Sequence, residues 1–269
     1  MKDLSMYLTR FLFVTLVFSF LTTKTQAEDD EFNTQLMRAT IKIMHEKSTA
    51  TGFILRKNKE QKHILITAAH VFSNVPGDDI NLIFRTKKSE GEYIKEIVKT
   101  SIRKEGKPLW IKHPTEDIAV LWIIPPKNAD LPDLSVELLA NDEMLKKHKV
   151  HPGDLIANLG YPHRAEANSA GFPILRNGAI ATFPLSPTIK TKTFLMSGNI
   201  FEGDSGGPVY LTRANQQDDT RIILGLVSAQ HFLDEDIKLI YGTSKIRHRL
   251  GLAIIIHAAL IKETIELLK

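Results

Sequence analysis

The sequence contains no cysteine. That excludes a disulfide framework, a cysteine-ligated metal or cluster, a thiol nucleophile and a lipoprotein anchor on cysteine. Its fold must rest on an apolar core alone, and 269 residues with 43% hydrophobic content suffice for one. Aromatics are few, at 7%. No low-complexity tract, heptad pattern or short internal repeat is present, which sets aside linker, coiled-coil and solenoid architectures. Long apolar runs are also missing. The longest near the start, residues 11–21, is shorter than the ~20 residues a membrane-spanning helix needs.

That run has a different meaning in its setting. Lys2 and Arg10 precede it, and a short polar stretch ends at Ala27. A charged, then apolar, then small-residue order is that of a secretory signal, here residues 1–27, with cleavage expected between Ala27 and Glu28. Retention as an N-terminal anchor is the alternative. An exported chain without cysteine fits a bacterial periplasmic or secreted protein. The formal charge is +4, and Lys2, Arg10 and Lys24 against Asp3 account for half of it. The pI of about 9.1 therefore does not argue for nucleic acid. Lys87-Lys88 and Arg247-His248-Arg249 read as solvated loop charge.

From residue 40 the pattern is strand-like. "ATIKIM", "ATGFIL", "HILITAAHVF" and "DIAVLWII" are short, β-branched and apolar or alternating, the last stopped by Pro125-Pro126. A second strand-rich half follows in "DLIANLGYP", "ILRNGAIATF", "TKTFLMSG", "GPVYL" and "RIILGLVSAQ". The polar run Thr212 to Thr220 predicts a hairpin loop. In the tail, Ile261, Ile265 and Leu268 share one helical face, with Lys262, Glu263 and Glu266 away from it. The reading is all-β: a lead-in over 28–37, a barrel over 38–130, a connector with a helical turn over 131–147, a barrel over 148–252, and a helix over 253–269.

The chemistry concentrates in three segments. In "FEGDSGGP", residues 201–208, a serine stands among glycines just before a strand. A serine hydroxyl holds its proton near neutral pH and needs a base, which itself needs an orienting group. It also needs donors aimed at the charge that develops on the attacked carbonyl. Gly203 can turn its N–H inward, with that of Ser205, and Gly206 and Gly207 allow close backbone approach. The same letters fit the G-x-S-x-G elbow of another hydrolase fold, but that fold needs strand–helix alternation, which is missing. The candidate base is His70, closing the buried strand of "LITAAH". The candidate orienter is Asp117, at the mouth of "DIAVLWII". Glu116 alternates to the opposite strand face. His148 and His151 lie in the polar connector without a third ligand, so no metal is expected.

"TAAH", "DIAVL" and "GDSGGP", in this order, resemble the chymotrypsin-fold (trypsin-like) serine peptidases, nearest to cysteine-free bacterial members. The resemblance spans residues 38–269. It implies two packed six-stranded β-barrels with a catalytic cleft between them. It also implies His70 as general base and acid, Asp117 as its orienter and Ser205 as nucleophile, with an oxyanion hole from the N–H groups of Gly203 and Ser205. Asn199 and Ile200 would lie at the base of the primary pocket, and Ser228, Ala229 and Gln230 along the substrate-pairing strand. No carboxylate stands at the pocket base, which removes support for Arg or Lys preference, and Gln230 narrows the wall. Asp204 is expected to find its partner locally, without a maturation step. These features predict a secreted or periplasmic serine endopeptidase acting on extended peptides. No cofactor, nucleic acid or stable membrane insertion is expected, and a monomer is. The alternative is a catalytically weak peptide-binding or scaffolding protein on the same fold.

Overall fold

A computed structural model describes residues 31–46, 48–57, 62–212 and 220–268. The signal segment and most of the predicted loop Thr212 to Thr220 fall outside them. Helix α1 (Phe32–Ala39) leads into strands β1 (Thr40–His45), β2 (Ser48–Lys57) and β3 (Lys62–Thr67). The short helix α2 (Ala69–Ser73) follows, then β4 (Asp79–Ser89) and β5 (Glu92–Ser101). Four short strands close this half: β6 (Arg103–Lys104), β7 (Lys107–Pro108), β8 (Ile111–Lys112) and β9 (Ala119–Ile123). The connector holds α3 (Asp142–Lys147). The second half comprises β10 (Leu155–Gly160), β11 (Ile174–Ile180), β12 (Thr193–Ser197), β13 (Pro208–Leu211), β14 (Ile223–Leu239), β15 (Gly242–His257) and α4 (Ala258–Glu266).

The second half is a closed barrel of six antiparallel strands in the order β10-β11-β12-β15-β14-β13. The first half is a sheet in the order β5-β4-β1-β2-β3-β9-β8. It has seven strands where six were expected, because the two-residue β8 pairs onto the edge of β9. The two-residue side-chain period explains why one sheet serves two cores. In β3, Ile64 and Ile66 face the large core shared with the barrel, while Leu65 faces a smaller core with Phe72 and Leu82. Around β9, Ile118 and Val120 join the first core, Ala119 and Leu121 the second.

The helix begins at Ala258, five residues later than the sequence suggested, because Ala253–His257 complete β15 against β12. Three consecutive isoleucines, 254–256, favour the pleated strand over the helix. The helical face reads as expected: Ile261 and Ile265 are buried and Glu263 and Glu266 exposed. Each buried isoleucine contributes about 2 kcal/mol. Arg85 of β4 joins the halves from inside. It is 1% exposed and donates to the carbonyls of Arg38 at 2.7 Å, Thr40 at 2.8 Å and Gly171 at 2.9 Å.

Candidate active site

His70 sits at the start of α2, and Asp117 holds it twice. The backbone N–H of His70 donates to Asp117 Oδ1 at 2.8 Å, and its ring Nδ1 lies 2.6 Å from Asp117 Oδ2. The N–H of Ala69 also donates to the Asp117 carbonyl, at 3.2 Å. Ala68 and Ala69 are fully buried, so the tight turn from β3 into α2 has no room for larger side chains. With a carboxylate at Nδ1, the ring proton rests there and Nε2 keeps its lone pair. Burial alone would raise the Asp117 carboxyl. The bonds from the His70 ring and backbone and from Ser228 outweigh it and hold the group below the ordinary carboxylate range. Glu116 points elsewhere, accepting from Lys192 Nζ at 2.8 Å.

Ser205 lies in the loop between β12 and β13, which the first sheet pins from across the cleft. Thr51 of β2 donates its N–H to the Ser205 carbonyl at 3.0 Å and its hydroxyl to the Gly203 carbonyl at 2.7 Å. Thr67, three residues before His70, donates in turn to the Thr51 carbonyl at 2.7 Å. Two glycines in this loop are required. Gly203 has φ +100°, and a Cβ there would strike the Tyr161 carbonyl. Gly206 has φ +85°, and a Cβ there would strike Thr67 and Thr51. Among the described residues, the N–H groups of Gly203 and Ser205 have no hydrogen-bond partner. No hydrogen bond joins the Ser205 hydroxyl to His70 either, a looseness common in sites without substrate.

Asp204 precedes the serine and is fully buried. Its Oδ2 accepts from the Phe201 N–H at 2.6 Å, and its Oδ1 lies 2.5 Å from the Arg176 guanidinium on β11. Burial pushes its carboxyl up, with Arg176 opposing. Arg176 is the local partner that the sequence left unnamed.

His70, Gly203 and Ser205 line one cavity of about 250 Å³. Its other walls are Ile43, Ala50, Val71 and Val75, with His45, Asn74 and Glu202 at polar positions. Glu202 and Thr49 also line an adjoining cavity of about 150 Å³ with His163 and Arg164, two non-glycine residues at φ 48° and 70°. These cavities lie against β1, β2 and α2, and none of the residues expected to form the primary pocket lines either of them. Asn199 is exposed, with its carbonyl accepting from Arg176 at 3.3 Å, and Ile200 is buried. Gln230 and Ala229 sit on β14 opposite Ala253 and Ile254. Ser228 was expected at the centre of the substrate-pairing strand. Its hydroxyl donates to Asp117 Oδ2 at 3.0 Å. Among the described residues no cluster of metal-ligating side chains occurs.

The Trypsin family model matches residues 26–251. No curated protein sequence matches the chain. Among solved structures, a mutant of human heparin binding protein is 14% identical, with a TM-score of 0.52 and coverage of 85% of this chain and 90% of that one. The Rv3671c protease of M. tuberculosis, in an inactive form, is 15% identical, with a TM-score of 0.47 and coverage of 89% and 92%. With the order of its three segments, its closed barrel and the pairing of His70 with Asp117 beside a glycine-bound serine, the chain belongs to the trypsin family.

Proposed function

We propose that the protein is an exported serine endopeptidase. The observation that carries this reading is the double hold of Asp117 on His70, in a cavity that His70 shares with Ser205 and Gly203. His70 Nε2 takes the Ser205 proton as the hydroxyl oxygen attacks the scissile carbonyl. The carbonyl oxygen becomes an oxyanion, received by the unpartnered N–H groups of Gly203 and Ser205. The imidazolium, stabilised by Asp117, gives its proton to the leaving amine, and an acyl-enzyme remains. Water, activated by the same imidazole, hydrolyses the ester and restores the hydroxyl.

A weak catalyst that mainly binds peptides is the second reading. The residues expected at the primary pocket, Asn199 and Ile200 at a base without a carboxylate and Gln230 on its wall, leave room for it. A fluorophosphonate probe separates the two. Labelling of the folded protein that disappears in Ser205→Ala supports the peptidase; no labelling supports the binding module. The reading of residues 1–27 as a cleaved signal supports export to the periplasm or medium. N-terminal sequencing of the exported protein tests it, with Glu28 expected first.

A further inference from the structure

Strand β14 runs far past the barrel. Its partner β13 stops at the pairs Pro208 with Leu226 and Val209 with Gly225, and the last bonds on that side are between Val227 and Gly206 and Gly207. From Ser228 to Leu239, the backbone of β14 is hydrogen-bonded only to β15 among the described residues. Its other edge therefore presents unpaired backbone groups over a dozen residues, up to ~40 Å of strand, with bulges at Ser228 and His231 where the register against β15 shifts. That edge begins at Ser228, which touches Asp117, so it leads directly out of the candidate active site.

The outer part, from the pair Phe232 with Arg249 to Leu239 with Gly242, is a two-stranded ribbon. Register assigns its faces. Leu233, Ile237, Leu239 and Ile246 share one side with the paired Glu235 and His248. Asp234, Asp236 and Lys238 share the other with Phe232, Lys245, Arg247 and Arg249. The apolar side chains of the first side are uncovered: Leu233 is 55%, Leu239 60% and Ile246 41% exposed. Two strands alone are marginal in water, and a third with an apolar face is the usual remedy. The outer edge of β15 is taken at Gly251 by the Gly198 N–H, and Arg249 lies over the Phe201 ring.

We propose that the edge of β14 from Ser228 to Leu239 receives the substrate segment upstream of the scissile bond as an added antiparallel strand. This rests on the peptidase reading and deepens it. Pairing with Ser228, Ala229 and Gln230 alone asks for about three ordered residues. The longer edge selects substrates extended over about eight or more. Alternation follows from the faces: apolar residues beside Leu233 and Ile237, and a basic residue beside Asp236, Asp234 being held by Arg247 across the ribbon. An unfolded strand of a β-rich protein has this pattern.

The test uses full-length Ser205→Ala protein and fluorescent peptides with one fixed cleavable bond. Lys-Val repeats lengthen the segment before that bond to four, eight and twelve residues. Affinity by anisotropy is expected to rise about tenfold from four to eight. N-methylation of alternate amides on one edge of the longer peptides is expected to erase the gain, with no change to the protein. A variant with residues 233–248 replaced by Asn-Gly is expected to bind every length as the shortest. Affinity independent of length, indifference to N-methylation on either edge, or a dimer formed through the ribbon overturns the proposal. Wild-type labelling by fluorophosphonate is read separately. Its failure beside length-dependent binding removes the catalysis and keeps the edge.

Discussion

Arg176 and Asp204 form a buried ion pair, 2.5 Å apart, one residue before the candidate nucleophile. Asp204 also holds the Phe201 N–H, so the pair fixes the loop that carries Gly203 and Ser205. Arg176→Gln leaves a buried carboxylate without its cation. Such a loss costs about 3 kcal/mol. The sign with pH is set by the raised carboxyl. A group whose pKa is higher folded than unfolded favours the folded state when protonated, and that stability is lost as pH rises through the folded value. Urea melts of Arg176→Gln are therefore expected to weaken more steeply from pH 4 to 8 than those of the parent protein. Equal slopes would show that Arg176 does not compensate Asp204.

Asp117 receives three bonds, and their removal is expected to be graded. Asp117→Asn abolishes the anion facing the imidazole, and in triads of this kind that change lowers turnover by about 10⁴. Ser228→Ala removes one donor and leaves both His70 contacts, so a loss of about tenfold in kcat is expected. Losing that bond also lets the Asp117 carboxyl rise toward the usual carboxylate range. Steady-state kinetics of both variants at pH 8, and a carboxyl titration of Ser228→Ala followed by NMR, check this. An unmoved Asp117 titration would deny Ser228 its part in holding the carboxylate.

Much of this arrangement was legible in residue order. The runs around His70 and Asp117 are buried on both faces, so their ends had to emerge at the rim of the sheet, where polar groups meet. Three other features were not legible. Arg176 looks like any solvated strand residue until folding places it against Asp204, because β11 and the nucleophile loop meet only through the closed barrel. The ribbon of β14 and β15 lacks a core to impose alternation, and Asp234-Glu235-Asp236 reads as a loop by propensity. The cavity beside His70 draws on β1, β2, α2 and the serine loop, so no single segment announces it.

His257 ends β15 in the core, 2% exposed, with its ring 4.8 Å from that of Phe194. Burial lowers its pKa to about 4, against the weaker pull of Asp142. The folded state thus holds the ring neutral, while the unfolded chain binds a proton near pH 6.5. Stability is full above pH 6.5 and is lost as pH falls toward 4, by about 3 kcal/mol. His257→Phe is expected to flatten that part of the stability–pH curve. Chemical denaturation at pH 7 and pH 4.5 measures it, and an unchanged acid loss would place the sensitivity elsewhere.

The cavity toward β1 and α2 predicts where selectivity lies. On the proposed peptidase reading, substrate residues after the scissile bond would leave Ser205 toward Ile43, Ala50, Val71 and Val75, which line the cavity with it. The first of them is expected to be apolar and of medium size, because ~250 Å³ bounded by these side chains gains most from burying such a group. Ala50→Phe fills the space and is expected to shift preference toward glycine or alanine there. Glu202 stands where this cavity meets the one lined by His163 and Arg164, so it faces the residues further along. Glu202 is exposed, and an exposed charge pair contributes modestly. Glu202→Lys is expected to change kcat/KM by about threefold to fivefold, against basic and toward acidic residues after the bond. A peptide library randomised after the bond reads both changes in one measurement. If its profile were flat there in the parent protein, and sharp before the bond, selectivity would belong to the strand of Ser228 to Gln230 instead.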